Sequence, residues 1–235
     1  MIATWINIIE LSKTPNLIDN VLLVKNAVKA LYVNHSMIIT ENPFDYIIKS
    51  HFPEYTTENE NVKLILTGFE KLIKIDFENI SINNEKNFLN VDIEDKLNNS
   101  INLANQANIF IENVRANIKQ SSNKKIHREI DTLQLTKNFL QNIIEIYSKE
   151  HTNKQLNFDW TNFDWTNFDL LLFVIDNYFK ELELTPNMKF DKNDWYDLLM
   201  LAYVGKYDKF WTNEKRKWYK VIEQDSKYSQ YLYKK

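Results

Sequence analysis

The alternation of apolar and polar positions along the chain predicts mostly helices. The segments in which apolar residues recur at helical spacing, or between helix start and stop signals, are 16–32, 43–48, 57–74, 91–149, 169–182, 194–204 and a last one from 213 onwards. Short apolar, β-branched or aromatic runs at 2–9, 36–40 and 209–212 are instead typical of strands. The pattern therefore predicts a strongly helix-dominated α/β protein.

The longest helical stretch carries two apolar stripes. They run from Ile101 to Ile118 and from Ile126 to Tyr147, and the polar sequence at 120–123 separates them as a turn. Because a short loop joins antiparallel neighbours, the two helices are predicted to form an αα-hairpin. We interpret 85–150 as a hairpin inserted into a single domain of 1–235. The hairpin either packs on the core or docks a protein partner.

A tandem repeat with a period of five residues occupies 157–169. Its copies read Asn-Phe-Asp-Trp-Thr, the same five residues again, and then Asn-Phe-Asp. The period is neither helical nor strand-like, so 151–168 is predicted to be an aromatic loop that ends by capping the helix from Asp169. The alternative is an aromatic platform for nucleic-acid bases or for a protein, in which Trp160 and Trp165 are exposed.

Composition excludes several kinds of chemistry. The 235 residues carry a net charge of −3 and are 44% hydrophobic, which is enough for a sizeable core. The absence of cysteine excludes disulfides, thiolate zinc sites and cysteine nucleophiles. Neither of the two glycines lies in a serine-hydrolase motif, and the four histidines show no metal-binding spacing. With no apolar run of membrane-spanning length and no secretory signal, a cytoplasmic protein without membrane partners is expected.

Carboxylates occur where strands are predicted to end and helices to begin. Glu10 follows the first strand, Asp194 and Asp197 share the first turn of one helix, and Glu214 follows the strand at 209–212. Acidic oxygens without His or Cys are the ligands that Mg²⁺ or Mn²⁺ prefers, and such ions can activate water for phosphodiester cleavage. These acids also have structural explanations. Asp194 is explained as a helix cap and Glu214 as a partner of the helix dipole.

Two parts of the chain resemble a known family. The residues concerned are INIIEL at 6–11, NDWYDLLMLAYV at 193–204 and FWTNE at 210–214. They look like the second strand and the C-terminal half of a PIN domain, a family of Mg²⁺- or Mn²⁺-dependent ribonucleases that includes many toxins of toxin–antitoxin pairs. The resemblance implies that Glu10, Asp197, Asp194 and Glu214 bind the metal ion and act in catalysis, with Thr212 orienting Glu214.

The resemblance also implies a fold and partners. It implies a small parallel sheet, endoribonuclease activity on RNA, and an antitoxin or another protein bound through the helical hairpin. The family carries its first acid on a strand before the one that bears the glutamate, and no such strand precedes residue 6. The chain is therefore expected to be either a truncated copy or a relic whose metal site is weakened and whose activity is lost.

The C-terminal segment 203–235 is locally basic and aromatic. Cations interleaved with stacking rings are typical of proteins that bind single-stranded RNA. The candidates for RNA binding are Lys209, Trp211, Lys215, Arg216, Lys217 and Trp218. The alternative is a helix that packs its aromatic residues on the core and leaves its lysines in solvent.

A second hypothesis is a non-catalytic helical interaction protein. In it, the hairpin and the aromatic repeat are the contact surfaces. A nuclease requires the carboxylates of Glu10, Asp197 and Glu214 to face one cleft, whereas an interaction protein allows them to point apart.

Overall fold

The computed structural model shows a protein made mainly of helices. It describes residues 3–4, 7, 21–33, 38–55, 60–74, 104–113, 115–116, 132–151, 156–185, 188–189, 192–210 and 218–233. The α-helices are α1 (Val21–Val33), α2 (Pro43–His51), α3 (Glu60–Lys74), α4 (Thr132–His151), α5 (Asp169–Leu184), α6 (Lys192–Leu199) and α7 (Trp218–Gln224). Turns of 3₁₀-helix occupy Trp165–Phe168, Met200–Tyr203 and Ser229–Tyr231, and residues 104–113 and 115–116 are also helical. No described helix combines the length and the hydropathy needed to cross a bilayer.

The prediction of an α/β fold with a small parallel sheet is wrong. Among the described residues, extended pairing is limited to β1 (Ala3–Thr4) beside β2 (Ile38–Ile39) and to one bridge between Phe210 and Leu232. Pairings of this length cannot form a layer with helices on its faces. The prediction failed because a short apolar run fits a strand, a loop that packs on the core or part of a helix, and periodicity alone cannot separate them.

Helix α5 is the centre of the core. Its buried apolar residues are Leu170, Leu171, Leu172, Val174, Ile175, Tyr178, Phe179 and Leu182. At about 100° per residue they cover somewhat more than half of the helix circumference, so α5 requires neighbours on several sides. Helices α4, α6 and α7 pack on it, together with the 3₁₀ turns Trp165–Phe168 and Met200–Tyr203.

The described parts of the predicted hairpin belong to this core. Leu140 of α4 is fully buried, and the ring of Phe110 lies 5.0 Å from the ring of Phe139 and 5.7 Å from that of Phe179. The 104–113 helical stretch therefore contacts both α4 and α5. The turn predicted at 120–123 lies outside the described residues.

Helix α2 begins at Pro43, the residue at which the sequence predicts a helix to start. Asn42 is its N-cap, and the side-chain oxygen accepts hydrogen bonds from the amides of Phe44 at 2.9 Å and Asp45 at 3.0 Å. Pro43 occupies the first helical position, where no amide proton is needed. This start turns Asp45 towards the interior, where it is buried together with Ile48.

Arg115 closes the C-terminal end of α5. Its guanidinium donates hydrogen bonds to the carbonyl oxygens of Leu182 at 3.1 Å, Thr185 at 2.9 Å and Met188 at 2.8 Å, and it pairs with Glu112 at 2.6 Å. The last carbonyls of a helix have no partner within the helix, and a cation there also interacts favourably with the helix dipole. One planar side chain thus binds the end of the central helix to the 104–116 region.

Replacing Arg115 with methionine should lower the free energy of unfolding by about 2 kcal/mol, because several hydrogen bonds from a charged donor are lost. Arg115→Lys should recover only part of the lost stability, because lysine lacks the planar group that donates several hydrogen bonds. Urea unfolding followed by circular dichroism measures the free energy of unfolding of both variants. Lys149→Met, which removes an exposed cation from α4, should change the stability by no more than about 0.5 kcal/mol. An Arg115→Met protein as stable as the wild type would contradict the capping role.

Candidate functional site

The two acids of α6 lie in different environments. Asp194 is 4% exposed, and its carboxylate accepts a hydrogen bond from the hydroxyl of Tyr178 at 2.5 Å. Asp197, in the same helix, is exposed to solvent. A buried carboxylate is stabilised by such a donor, so Asp194 joins α6 to the central helix.

The remaining acids of the predicted metal site lie outside the described residues. These are Glu10 and Glu214, together with Thr212. The described residues contain no group of three or more His, Cys, Asp or Glu that could hold a metal ion, and only Asp194 and Asp197 of the predicted ligands are among them. Binding of Mg²⁺ or Mn²⁺ by the four acids therefore stays a prediction.

Two of the predicted RNA-binding residues are described. Lys209 is exposed, and its ammonium group donates a hydrogen bond to the carbonyl oxygen of Gln230. Trp218 is 6% exposed, and its ring stands edge-on to Tyr178 with centroids 4.4 Å apart. A ring buried in this way has no face open for a base, so Trp218 is a core residue in this structure. The other candidates, which lie outside the described residues, are Trp211, Lys215, Arg216 and Lys217.

The aromatic repeat folds into a continuous set of ring contacts, which we call the repeat layer. Its members are Phe158, Trp160, Phe163, Trp165 and Phe168. Phe158 and Trp160 are stacked at 4.8 Å and 3°, and Trp160 and Trp165 at 6.0 Å and 21°. Phe163 and Phe168 are buried, whereas the other three rings are partly exposed. The layer therefore contributes to the core on one side and to the surface on the other.

The polar residues of the repeat form the same turn twice. The Asp159 carboxylate accepts hydrogen bonds from the side-chain amide of Asn162 at 2.6 Å and the backbone amide of Thr161 at 3.1 Å. The Asp164 carboxylate accepts them from the hydroxyl of Thr166 at 2.6 Å and its amide at 2.9 Å. These hydrogen bonds lower the pKa of both carboxyls. Each copy thus forms an Asx turn, and the second caps the 3₁₀ turn before α5.

The repeat layer is fixed to the helices beneath it. The indole nitrogen of Trp160 donates a hydrogen bond to the Glu145 carboxylate of α4 at 2.6 Å. Phe158 stands edge-on to Phe52, just after α2, with centroids 5.3 Å apart. Phe158 and Trp160 of the first copy therefore both have partners on the body of the protein. These two partly exposed rings are held in place before any ligand binds.

A buried polar cluster around Asp45 was missed at the level of sequence. Asp45 is 2% exposed, and its carboxylate accepts hydrogen bonds from the hydroxyls of Tyr55 at 2.7 Å and Tyr147 at 3.1 Å, and from the side-chain amide of Asn42. The Asn42 amide also donates to the Tyr147 hydroxyl at 2.6 Å. The cluster connects α2, the turn after it and α4. The local signals are weak, because Tyr55 follows Asp45 by ten residues and Tyr147 comes from α4, 102 residues along the chain.

Burial and the neighbouring charge change the acidity of these tyrosines. Burial, followed by the Asp45 carboxylate, raises the pKa of Tyr55 and Tyr147 far above the ordinary value. Burial also raises the pKa of Tyr203, whose hydroxyl donates to the carbonyl oxygen of Glu41 at 2.9 Å. The three phenols therefore stay protonated in the folded protein at pH values where free tyrosine ionises.

We expect the protein to lose stability as the pH rises above about 10, where tyrosine in an unfolded chain ionises. The raised pKa values of Tyr55, Tyr147 and Tyr203 mean that their contribution is complete below this pH and falls above it. Circular dichroism and tyrosinate absorbance against pH should show unfolding and ionisation together. Tyr207→Phe, at an exposed position, should leave the midpoint unchanged. Ionisation of all tyrosines with the helical signal intact would contradict the prediction.

Comparison with known proteins identifies no relative. No family model matches the chain, and no match was found among curated proteins or solved structures. The resemblance to the PIN family thus still depends on the short runs at 6–11, 193–204 and 210–214. The function has to be argued from the geometry described above.

Proposed function

We propose that this protein is a non-catalytic helical module that binds a protein partner through the repeat layer. The observation that carries the proposal is the repeat layer itself, in which Trp160 and Trp165 are stacked, anchored from below and partly exposed. Tryptophan is enriched at the energetic centres of protein interfaces, because it offers a large area with few rotatable bonds. The cytoplasmic location predicted from the sequence is part of this proposal.

Fixed rings favour binding over a purely structural role. A partner that docks on rings already held by packing and by the Glu145 hydrogen bond does not pay for ordering them. The hairpin region also exposes apolar residues, with Ile109 63% and Ile146 42% exposed. These residues support the hairpin as a second contact area, whether the partner is an antitoxin or another protein.

The ribonuclease hypothesis receives less support from the fold. It depends on strand ends that bring carboxylates to one edge of a parallel sheet, and the described residues do not form such a sheet. The buried acids that are described serve the core. Asp194 binds Tyr178, and Asp176 accepts a hydrogen bond from Thr136 at 3.0 Å and pairs with Lys180 at 2.6 Å.

A photo-crosslinking residue at Thr161, the last residue of the first copy of the repeat, should attach to a specific protein in the native cell. The same photo-crosslinking residue placed at Glu223 of α7 should not attach to that protein. The attached protein is then purified, and its Kd for the wild-type protein is measured. Trp165→Leu should raise this Kd at least tenfold, as for the loss of an interface hot spot. Tyr207→Ala, an exposed aromatic residue outside the layer, should leave it unchanged. Equal Kd values for Trp165→Leu and the wild type would refute the proposal.

The purified protein should not cleave RNA in a metal-dependent manner. We expect wild type and Asp197→Asn to give the same background with Mg²⁺, with Mn²⁺ and with a chelator, using a labelled single-stranded RNA and gel analysis. Cleavage that needs the metal ion and disappears in Asp197→Asn would establish the ribonuclease hypothesis instead.

A further inference from the structure

We propose that the repeat layer receives a cationic segment of its partner, with arginine or lysine side chains lying on the tryptophan rings and beside the aspartates. This inference rests on the proposed function and specifies the chemistry of the partner. It combines the partly exposed rings of Trp160 and Trp165 with the charges of the exposed Asp159 and Asp164.

The solvent side of the repeat is negatively charged. Asp159 and Asp164 are exposed, and their lowered pKa values keep both carboxyls ionised at neutral pH. Glu145 adds a third carboxylate at the inner edge, where Trp160 donates to it. A cation lies close by at Lys149, 3.9 Å from the second oxygen of Glu145, and it does not contact either aspartate in an ion pair. The three carboxylates and the one ammonium group named here carry a net negative charge, which attracts cations.

This charge distribution separates two kinds of ligand that aromatic platforms bind. A nucleic acid could stack its bases on the rings, but its phosphates would meet the two aspartates. A guanidinium or ammonium group is attracted both by the carboxylates and by the face of an indole ring. The surface therefore selects a basic protein segment over RNA, although the rings alone would accept either.

The aspartates are positioned as firmly as the rings. Each carboxylate is held by donors of its own Asx turn, so little side-chain entropy is lost when a cation binds. Consecutive copies place a Trp and an Asp at each five-residue step. The geometry thus favours a segment with more than one basic residue, because each copy offers the same pair of groups.

A short labelled peptide of alternating arginine and glycine should bind the full-length protein saturably, with the Kd read from fluorescence anisotropy. Asp159→Asn combined with Asp164→Asn should raise that Kd about tenfold. The substitution removes the charges but keeps a side-chain oxygen for each turn. Asp225→Asn is the matched control, because Asp225 accepts hydrogen bonds from the amides of Lys227 and Tyr228 in a similar turn elsewhere. It should leave the Kd unchanged.

The outcomes distinguish this inference from the proposed function. No saturable binding, or equal Kd values in the double variant and the control, overturns the cationic segment. So does tighter binding of a peptide of alternating glutamate and glycine, or of an oligouridine, than of the arginine peptide. The proposed function survives such a result if the protein crosslinked at Thr161 still loses affinity in Trp165→Leu. If the arginine peptide binds through the aspartates but no cellular protein is crosslinked, the proposed function fails while the chemical preference stands.

Discussion

The enclosure of α5 is the constraint on which the rest of this structure depends. A helix whose buried apolar residues cover more than half of its circumference cannot lie on a surface with one face, so several elements must pack around it. Helix α4 and the 104–113 stretch cover one side through the ring contacts of Phe110, Phe139 and Phe179. Helices α6 and α7 cover other sides of α5. Their packing explains why Asp194 and Trp218 contact Tyr178.

The same constraint explains which sequence features could be interpreted and which could not. Pro43 indicates the start of α2 because the first turn of a helix is local chemistry, and the helical spacing of 169–182 predicts α5. The runs at 2–9 and 209–212 fit strands, but a short apolar run does not indicate which elements will pack on it. Only fragments of them pair in the described part of the chain.

The candidate site shows the same division between local and distant information. The aspartate turns of the repeat can be anticipated from Asp-Trp-Thr, because an Asx turn involves neighbours only. The partners of Asp45 could not be anticipated, since Tyr147 comes from a helix far along the chain. The burial of Trp218 matches the alternative in which the C-terminal helix packs its aromatic residues on the core. Acidic and aromatic residues that suggested metal and RNA binding are in part core residues, because packing uses the same side chains as chemistry does.

The five-residue period of the repeat has a consequence for how this surface can change. Each unit contains its own turn, so a replication error that gains one unit would lengthen the repeat layer by one Asp–Trp step and leave the turns of the others intact. The anchoring contacts of Trp160 and Phe158 belong to the first unit, and the cap before α5 belongs to the second. Extra copies inserted between these two units would change the number of Asp–Trp steps without removing either attachment point.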